Sequence, residues 1–288
     1  NLNQGKRVLF ISSYSYGWDT VQTQIEGIKA GVDENTTIDY EFMDTKRFRT
    51  DEWLNMFHDM LKYHLENTDP YDVVIVGDDA ALQFAMEYRE ELFPEIPVVF
   101  EGVNDEEYAM KAAENPLVTG IIEKLSVEKN IDMALKVNPT ADKVVAILDD
   151  SVTADAERKN FYSAEAEYPE LEFSEINSSE LTTAQLQQAI SKVDDKTILI
   201  YIVMSKDGSG KQYTSDQAVR MVVNYSKVPV YRMVEAGIGD GLLGGNVVSM
   251  YKSGEIAAQM AMDIANGTDS AEINVVKDSP NIYCVDDR

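Results

Sequence analysis

The sequence predicts an α/β protein of two lobes, each an open parallel sheet flanked by helices, and three observations carry that prediction. Runs such as Val8-Leu9-Phe10-Ile11 and Val73-Val74-Ile75-Val76 are continuously apolar, as strands covered on both faces must be. Each run ends in a polar or glycine-bearing turn that leads into an amphipathic helix, the repeating unit of parallel sheets. The pattern completes one sheet by Asn104 and then restarts, and 288 residues are more than one ordinary domain needs.

Taken in order, Arg7–Ile11 is the first strand. It ends in Ser12-Ser13-Tyr14-Ser15-Tyr16-Gly17-Trp18, with a helix through Gln24 to Val32. The second strand is Ile38–Met43, ending at Asp44-Thr45-Lys46-Arg47. Glu52–Leu65 forms a helix, because Leu54, Phe57, Leu61 and Leu65 fall on one face. Asp72–Val76 is the third strand, followed by Gly77-Asp78-Asp79-Ala80 and a helix to about Leu92. Pro97–Phe100 is the fourth, ending Glu101-Gly102-Val103-Asn104.

Gly120-Ile121-Ile122 reads as a crossing into the second lobe, with a helix near Val127–Leu135. Strands follow at Lys143–Leu148, Glu172–Ile176 and Thr197–Val203, with a helix near Thr183–Ser191. Pro229–Arg232, a strand near Val247, a helix over Gly254–Asn266 and a last strand near Ile273–Val276 complete the chain. No proline- or serine-rich linker separates the halves, so several short crossings are expected. The first lobe is assigned 1–120 with about 250–275, the second 121–249 with about 276–288. Ligands of such sheets gather at the carboxyl ends of the strands, where turns and helix N-termini converge.

Composition narrows the function. With 51 acidic and 25 basic residues the formal net charge is −26, which opposes binding to nucleic acid or to an anionic membrane surface. No stretch approaches the roughly 18–20 apolar residues of a membrane helix. Cys284 stands alone, so an intrachain disulfide is impossible, which by itself favours a reducing compartment or an anaerobic source. The opening Asn1-Leu2-Asn3-Gln4-Gly5-Lys6 carries no signal-peptide pattern; a cytoplasmic chain and one whose targeting segment is gone fit equally.

Several chemistries fail on inventory. Gly237 and Gly239 begin a G-x-G-x-x-G, but Leu242 occupies its last position, and the context is not a strand-to-helix turn. Gly208-Ser209-Gly210-Lys211 has Ser205 where a phosphate-binding loop needs its first glycine, and Gln212 where it needs Ser or Thr. The two histidines, His58 and His64, point to different faces of one helix, which argues against zinc. No serine lies in G-x-S-x-G and no histidine ends a strand, so a Ser-His-Asp hydrolase is rejected. No cofactor and no metal is expected.

At the strand ends the chain resembles a family. Val8-Leu9-Phe10-Ile11-Ser12-Ser13-Tyr14 with Trp18, Glu41-Phe42-Met43-Asp44-Thr45-Lys46-Arg47-Phe48, and Asp72-Val73-Val74-Ile75-Val76-Gly77-Asp78-Asp79-Ala80-Ala81 carry the likeness. So do Tyr88-Arg89-Glu90-Glu91-Leu92-Phe93-Pro94, Pro97-Val98-Val99-Phe100-Glu101-Gly102-Val103-Asn104, Thr119–Glu123, Val228–Tyr231 and Gly239–Gly245. These are similar to the ABC-transporter substrate-binding-like sensor domains that precede histidine kinase, diguanylate cyclase or PAS modules in bacteria.

The resemblance covers nearly the whole chain, is strongest over the first 125 residues and weakens in the middle of the second half. It implies a type I periplasmic-binding-protein fold, without catalysis, whose lobes close on a small molecule. It further implies an upstream membrane helix, a downstream membrane-tethered signalling module and an extracellular or periplasmic location, which overrides the cysteine argument. The chain then reads as a segment of a longer receptor. Dimerisation typical of such sensors would use the first lobe's helices, which the sequence itself does not show.

The candidate ligand-binding residues lie at these strand ends. Ser13, Tyr14, Tyr16 and Trp18 occupy the first turn; the aromatics either meet a ligand or pack under the first helix. Asp44 ends the second strand beside Lys46 and Arg47. One of Asp78 and Asp79 is expected to cap a helix and the other, Asp79, to face the ligand. Lys46, Arg47 and Arg232 either grip a ligand carboxylate or pair with surface acids. Glu101, Asn104 and Asp150 are polar candidates, while Tyr201 and Tyr231 fit the core. Ser205 and Asp207 fill positions where the family often has a Ser and an Asp. This inventory suits an amino acid, an aromatic acid or a purine-like molecule, with an amino-acid-like or aromatic carboxylate the favoured ligand. A transporter's solute-binding protein and an enzyme acting in the cleft are the competing readings.

Overall fold

The computed structural model describes residues 5–234 and 241–283. It divides into two compact units, Asn1–Lys124 with Met250–Ser279, and Leu125–Ser249 with Pro280–Arg288.

The first unit runs β1 (Arg7–Ser12), α1 (Asp19–Gly31), β2 (Thr37–Phe42), α2 (Asp51–Glu66), β3 (Val73–Gly77), α3 (Asp78–Glu87), the short α4 (Arg89–Leu92), β4 (Val98–Val103), α5 (Glu106–Ala112) and β5 (Val118–Ile122). Its five strands are all parallel, in the order β2-β1-β3-β4-β5. Alternate side chains of each strand serve opposite faces. Leu9, Ile11, Val74, Val76, Val98 and Phe100 join Phe57 and Leu61 of α2 and Leu82 and Phe84 of α3 in one core.

The second unit runs α6 (Val127–Val137), β6 (Lys143–Leu148), α7 (Val152–Ser163), β7 (Glu172–Asn177), α8 (Thr183–Ser191), β8 (Thr197–Tyr201), α9 (Ser215–Tyr225), β9 (Val230–Arg232), β10 (Leu242–Leu243) and β11 (Asn246–Val248). The chain then supplies α10 (Met250–Ala265) to the first unit and β12 (Asn281–Tyr283) to the second. The parallel order β10-β9-β8-β6-β7 repeats the first unit's winding, and β11 and β12 form a separate antiparallel pair. Val145, Ile147, Leu199 and Tyr201 pack with Leu186 and Ile190 of α8 and Val219 and Val222 of α9. Thr182 and Thr214 close capping boxes with Gln185 and Gln217, which explains the sharp starts of α8 and α9.

Two sequence expectations are corrected. Gly120-Ile121-Ile122 is not a crossing but the end of β5, an edge strand paired with β4. Ile273–Val276 is not a strand: it makes one bridge, Ile121 to Val276. Asp269 caps a tight turn before it, and Pro280 follows shortly after it. The strand that does form is β12. Gly237 and Gly239 of the glycine run, and Cys284, lie outside the described residues.

The other face of the first sheet is covered by α10, which crosses β3, β4 and β5 and packs along α1. The two helices meet through glycines. A Cβ on Gly27 would lie 2.0 Å from the Tyr251 carbonyl oxygen, and one on Gly254 would lie 2.4 Å from that of Gln24. In an exposed helix Gly→Ala stabilises by about 1 kcal/mol. Here the backbone contact reverses the sign: Gly27→Ala is expected to cost about 1–3 kcal/mol, read as a lower thermal unfolding midpoint.

Candidate functional site

Each sheet is wound outward from its centre, so each has a point where consecutive connections leave in opposite directions. In the first unit it lies between β1 and β3, in the second between β6 and β8. Ligand sites of open α/β sheets form outside the carboxyl ends of strands at such points.

In the first unit the switch point is a buried polar cluster. The Ser13 hydroxyl donates to the Gly77 carbonyl (2.7 Å) and accepts from the Ala81 amide (2.8 Å), tying the end of β1 to the start of α3. Gly77, not an aspartate, occupies the α3 cap position, and no side chain caps it. Asp78 adopts φ 71°, a left-handed conformation uncommon outside glycine. Such strain gathers at functional sites. Its carboxylate accepts from Gln24 Nε2 at 3.3 Å.

Burial, reinforced by the neighbouring Asp79, pushes Asp78 up to about 7, while Gln24 and Lys46 pull it down. Asp79 accepts from the amides of Asn104 (3.2 Å) and Asp105 (3.0 Å), and burial raises it to about 6 against those bonds. The expected helix cap is thus taken by neither aspartate. Asp79 braces the turn after β4, and Asp78 is the acid on which the charge of Lys46 acts.

Lys46 is itself buried, 5% exposed. Its ammonium lies 4.6 Å from the Tyr14 ring centre and 5.0 Å from that of Trp18, whose rings pack 6.2 Å apart. A desolvated cation over two aromatic faces is attracted by both ring quadrupoles. Asp44, at φ 53°, accepts from Arg47 Nε at 2.7 Å and also from Nη2. Tyr16 stands apart, 59% exposed, edge-on to Phe42. Asn104 donates to Glu123 Oε2 at 2.9 Å. Glu101 is fully buried, with both carboxyl oxygens lacking a hydrogen-bond partner. Burial, then Asp78, raises its pKa well above the ordinary value.

In the second unit Asp149 takes the inner position. It accepts from the Ser205 hydroxyl (2.6 Å), the Ser205 amide (2.9 Å) and the Ser151 amide (2.9 Å). Asp150, the residue singled out in the sequence, is exposed, its amide bonded to Ser179. Asp207 is buried and accepts from Thr183 (2.6 Å), Tyr213 (2.8 Å) and the amides of Ser209 (2.9 Å) and Lys211 (3.1 Å). Burial would raise it, but these four donors outweigh burial and hold it below the ordinary carboxylate range. Ser205 and Asp207 thus organise the loop after β8. Arg232 ends β9 with its guanidinium 5.1 Å from the Tyr201 ring centre, and both are buried.

The first unit therefore brings together Ser13, Tyr14, Trp18, Asp78 and Lys46, with Asp79, Asn104 and Glu123 bracing the adjacent turn. Sequence reasoning missed Gln24, Glu123 and Asp149. Glu123 follows β5 directly and would have been found had that strand been recognised; Asp149 follows the apolar run of β6. Gln24 carries no local signal. Among the described residues no cluster of His, Cys, Asp and Glu is arranged to hold a metal ion.

Two like-wound α/β units joined by three crossings, with polar and aromatic groups gathered at the switch points, define a two-lobed binding protein of the periplasmic type. The chain belongs to the family described as ABC transporter substrate binding protein, which it matches over residues 18–285. Solved structures share the fold. An ABC domain from Streptococcus pneumoniae in complex with L-Trp is 17% identical, covering 96% of this chain and 90% of its own, with a TM-score of 0.71. A conserved domain protein from Vibrio cholerae is 15% identical over 97% and 91%, TM-score 0.70. A carbohydrate transporter from Acidothermus cellulolyticus in complex with myo-inositol is 13% identical over 97% and 94%, TM-score 0.63. Comparison with curated proteins finds no match.

The inner and outer aspartates after β6 should separate in stability. Asp149→Ala, which strands three donors, is expected to cost about 3 kcal/mol. Asp150→Ala should cost about 0.5 kcal/mol or less, both measured by urea unfolding.

Proposed function

We propose that this chain binds a small amino-acid-like or aromatic carboxylate, without turnover, as the sensing domain of a membrane receptor at the extracellular or periplasmic face. The observation that carries the ligand class is Lys46. A buried ammonium flanked by Tyr14 and Trp18 offers an anion a charge partner and its hydrophobic body an aromatic surface. In the second unit Arg232, buried at the end of β9, is a cation of the kind that grips carboxylates bidentately. The L-Trp complex of the Streptococcus pneumoniae domain supports such a ligand. The myo-inositol complex of another neighbour indicates that the fold alone does not choose it. Binding would act by favouring a lobe arrangement with higher ligand affinity.

The sensing role rests on the strand-end resemblance. Solute delivery to a transporter is the second reading, and the family description favours it. Deleting the gene separates them. Loss of ligand uptake would mean delivery, whereas intact uptake with loss of a ligand-dependent signalling response would mean sensing.

Thermal unfolding against L-tryptophan, L-phenylalanine, indole-3-acetate, benzoate, nucleobases and sugars tests the ligand class. A ligand at a hundredfold over its dissociation constant adds roughly 2.7 kcal/mol, visible as a shifted midpoint. The expected result is a shift with one of the carboxylates that is lost in Lys46→Met and lost when L-tryptophanamide replaces L-tryptophan. A shift with sugars alone would overturn the carboxylate assignment, and conversion of the bound compound would overturn binding without turnover.

A further inference from the structure

The Glu101 carboxyl has no role in the site as described, and its surroundings are unusual. Gly77 and Glu101 are direct cross-strand partners of β3 and β4. A Cβ on Gly77 would lie 3.4 Å from Glu101 Oε1, and a Cβ on Gly102 would lie 2.9 Å from Asp78 Oδ1. Each acid therefore rests against the glycine next to the other. Gly102, at φ 67°, and Asp78, at φ 71°, both hold left-handed backbone to make this interlock. Glu101 is 0% and Asp78 3% exposed.

Among the described residues no cation compensates Glu101. The charge it meets is that of Asp78, of the same sign. The elements around the pair contribute little else. From α1 comes Gln24, with its Oε1 buried and without a hydrogen-bond partner, while Glu26 and Lys29 are exposed. From α10 comes Ser253, buried, while Lys252 and Glu255 pair with each other at 3.3 Å. Thr119 of β5 donates to the Ile273 carbonyl. The start of α3 gives Asp79, held by the amides after β4, and the end of β2 gives Lys46, the cation that acts on Asp78. Two desolvated carboxylates side by side cannot both ionise cheaply, so such a pair retains a proton.

We propose that Glu101 and Asp78 form a buried proton-holding pair, which keeps a proton between two adjoining acids of the first unit and gives it up as pH rises.

The sign for stability follows from linkage. Carboxyl groups whose folded pKa is raised stabilise the fold fully below their unfolded values near 4, and that stability is lost as pH rises through the folded values. For Asp78 the loss runs up to about 7, and for Glu101 it continues above its ordinary range.

The test is thermal unfolding of the ligand-free protein from pH 5 to 8.5 for wild type and Glu101→Gln, whose amide mimics the protonated acid in shape. The expected result is a midpoint that falls with pH in wild type and falls distinctly less in the variant. Parallel profiles would overturn the pair. Should Glu101→Gln fail to fold, Asp78→Asn must flatten the profile in the same way, and a parallel profile there is equally fatal.

Discussion

A parallel sheet wound outward from its centre must bury polar groups where its two central strands part, and both units are organised by that requirement. At the parting of β1 and β3 the Ser13 hydroxyl bridges the Gly77 carbonyl and the Ala81 amide. At the parting of β6 and β8 the Asp149 carboxylate collects the Ser205 hydroxyl and amide. A buried donor or acceptor without a partner costs on the order of 1–3 kcal/mol, so these bonds fix how the strands end. The ends of the strands in turn fix where Lys46, Asp78 and Arg232 stand.

The two units answer the same requirement with different chemistry. The second ties its loop down by hydrogen bonds: Asp207 holds four donors, Thr183 at the start of α8 and Ser209, Lys211 and Tyr213 of its own loop. The first leaves acids in excess of donors: Asp78, Asp79 and Glu101 are all buried, and Lys46 acts on Asp78. Hydrogen bonds hold the Asp207 acid down, whereas burial and like charge hold Asp78 and Glu101 up. The contrast divides a rigid loop from a polarised one, although both rest on aspartates that follow apolar strands.

The strands were legible where apolar runs were long and bounded by turn residues. Lys143–Leu148 and Thr183–Ser191 coincide with β6 and α8. β5 was hidden because its apolar run is short and interrupted by Thr119 and Gly120, so only pairing to β4 makes it a strand. α1 and α10 begin earlier than their apolar periodicity suggests, at Asp19 and Met250. For the site, strand ends marked the right neighbourhoods. What the sequence could not convey was which polar group at each end is taken up internally. Asp207 depends on Thr183 and Tyr213 from separate segments, and the choice between Asp149 and Asp150 depends on which one turns toward Ser205. That Asp79 does not cap α3 was hidden for the same reason, because it meets amides that only the β4 turn delivers.

The return of the chain through α10 also has a bearing on biosynthesis. When residues up to Lys124 have left the ribosome, the first sheet has all five strands but lacks the helix that covers β3, β4 and β5 on one side. That helix is translated only after nearly all of the second unit. Domains that fold during synthesis ordinarily do so from the N-terminus. Here the order is inverted: the second unit is close to complete while the first still shows an open apolar face. The nascent first unit is therefore the part of this protein that a chaperone has most reason to hold, and the interval lasts as long as the ribosome takes to reach Ala265.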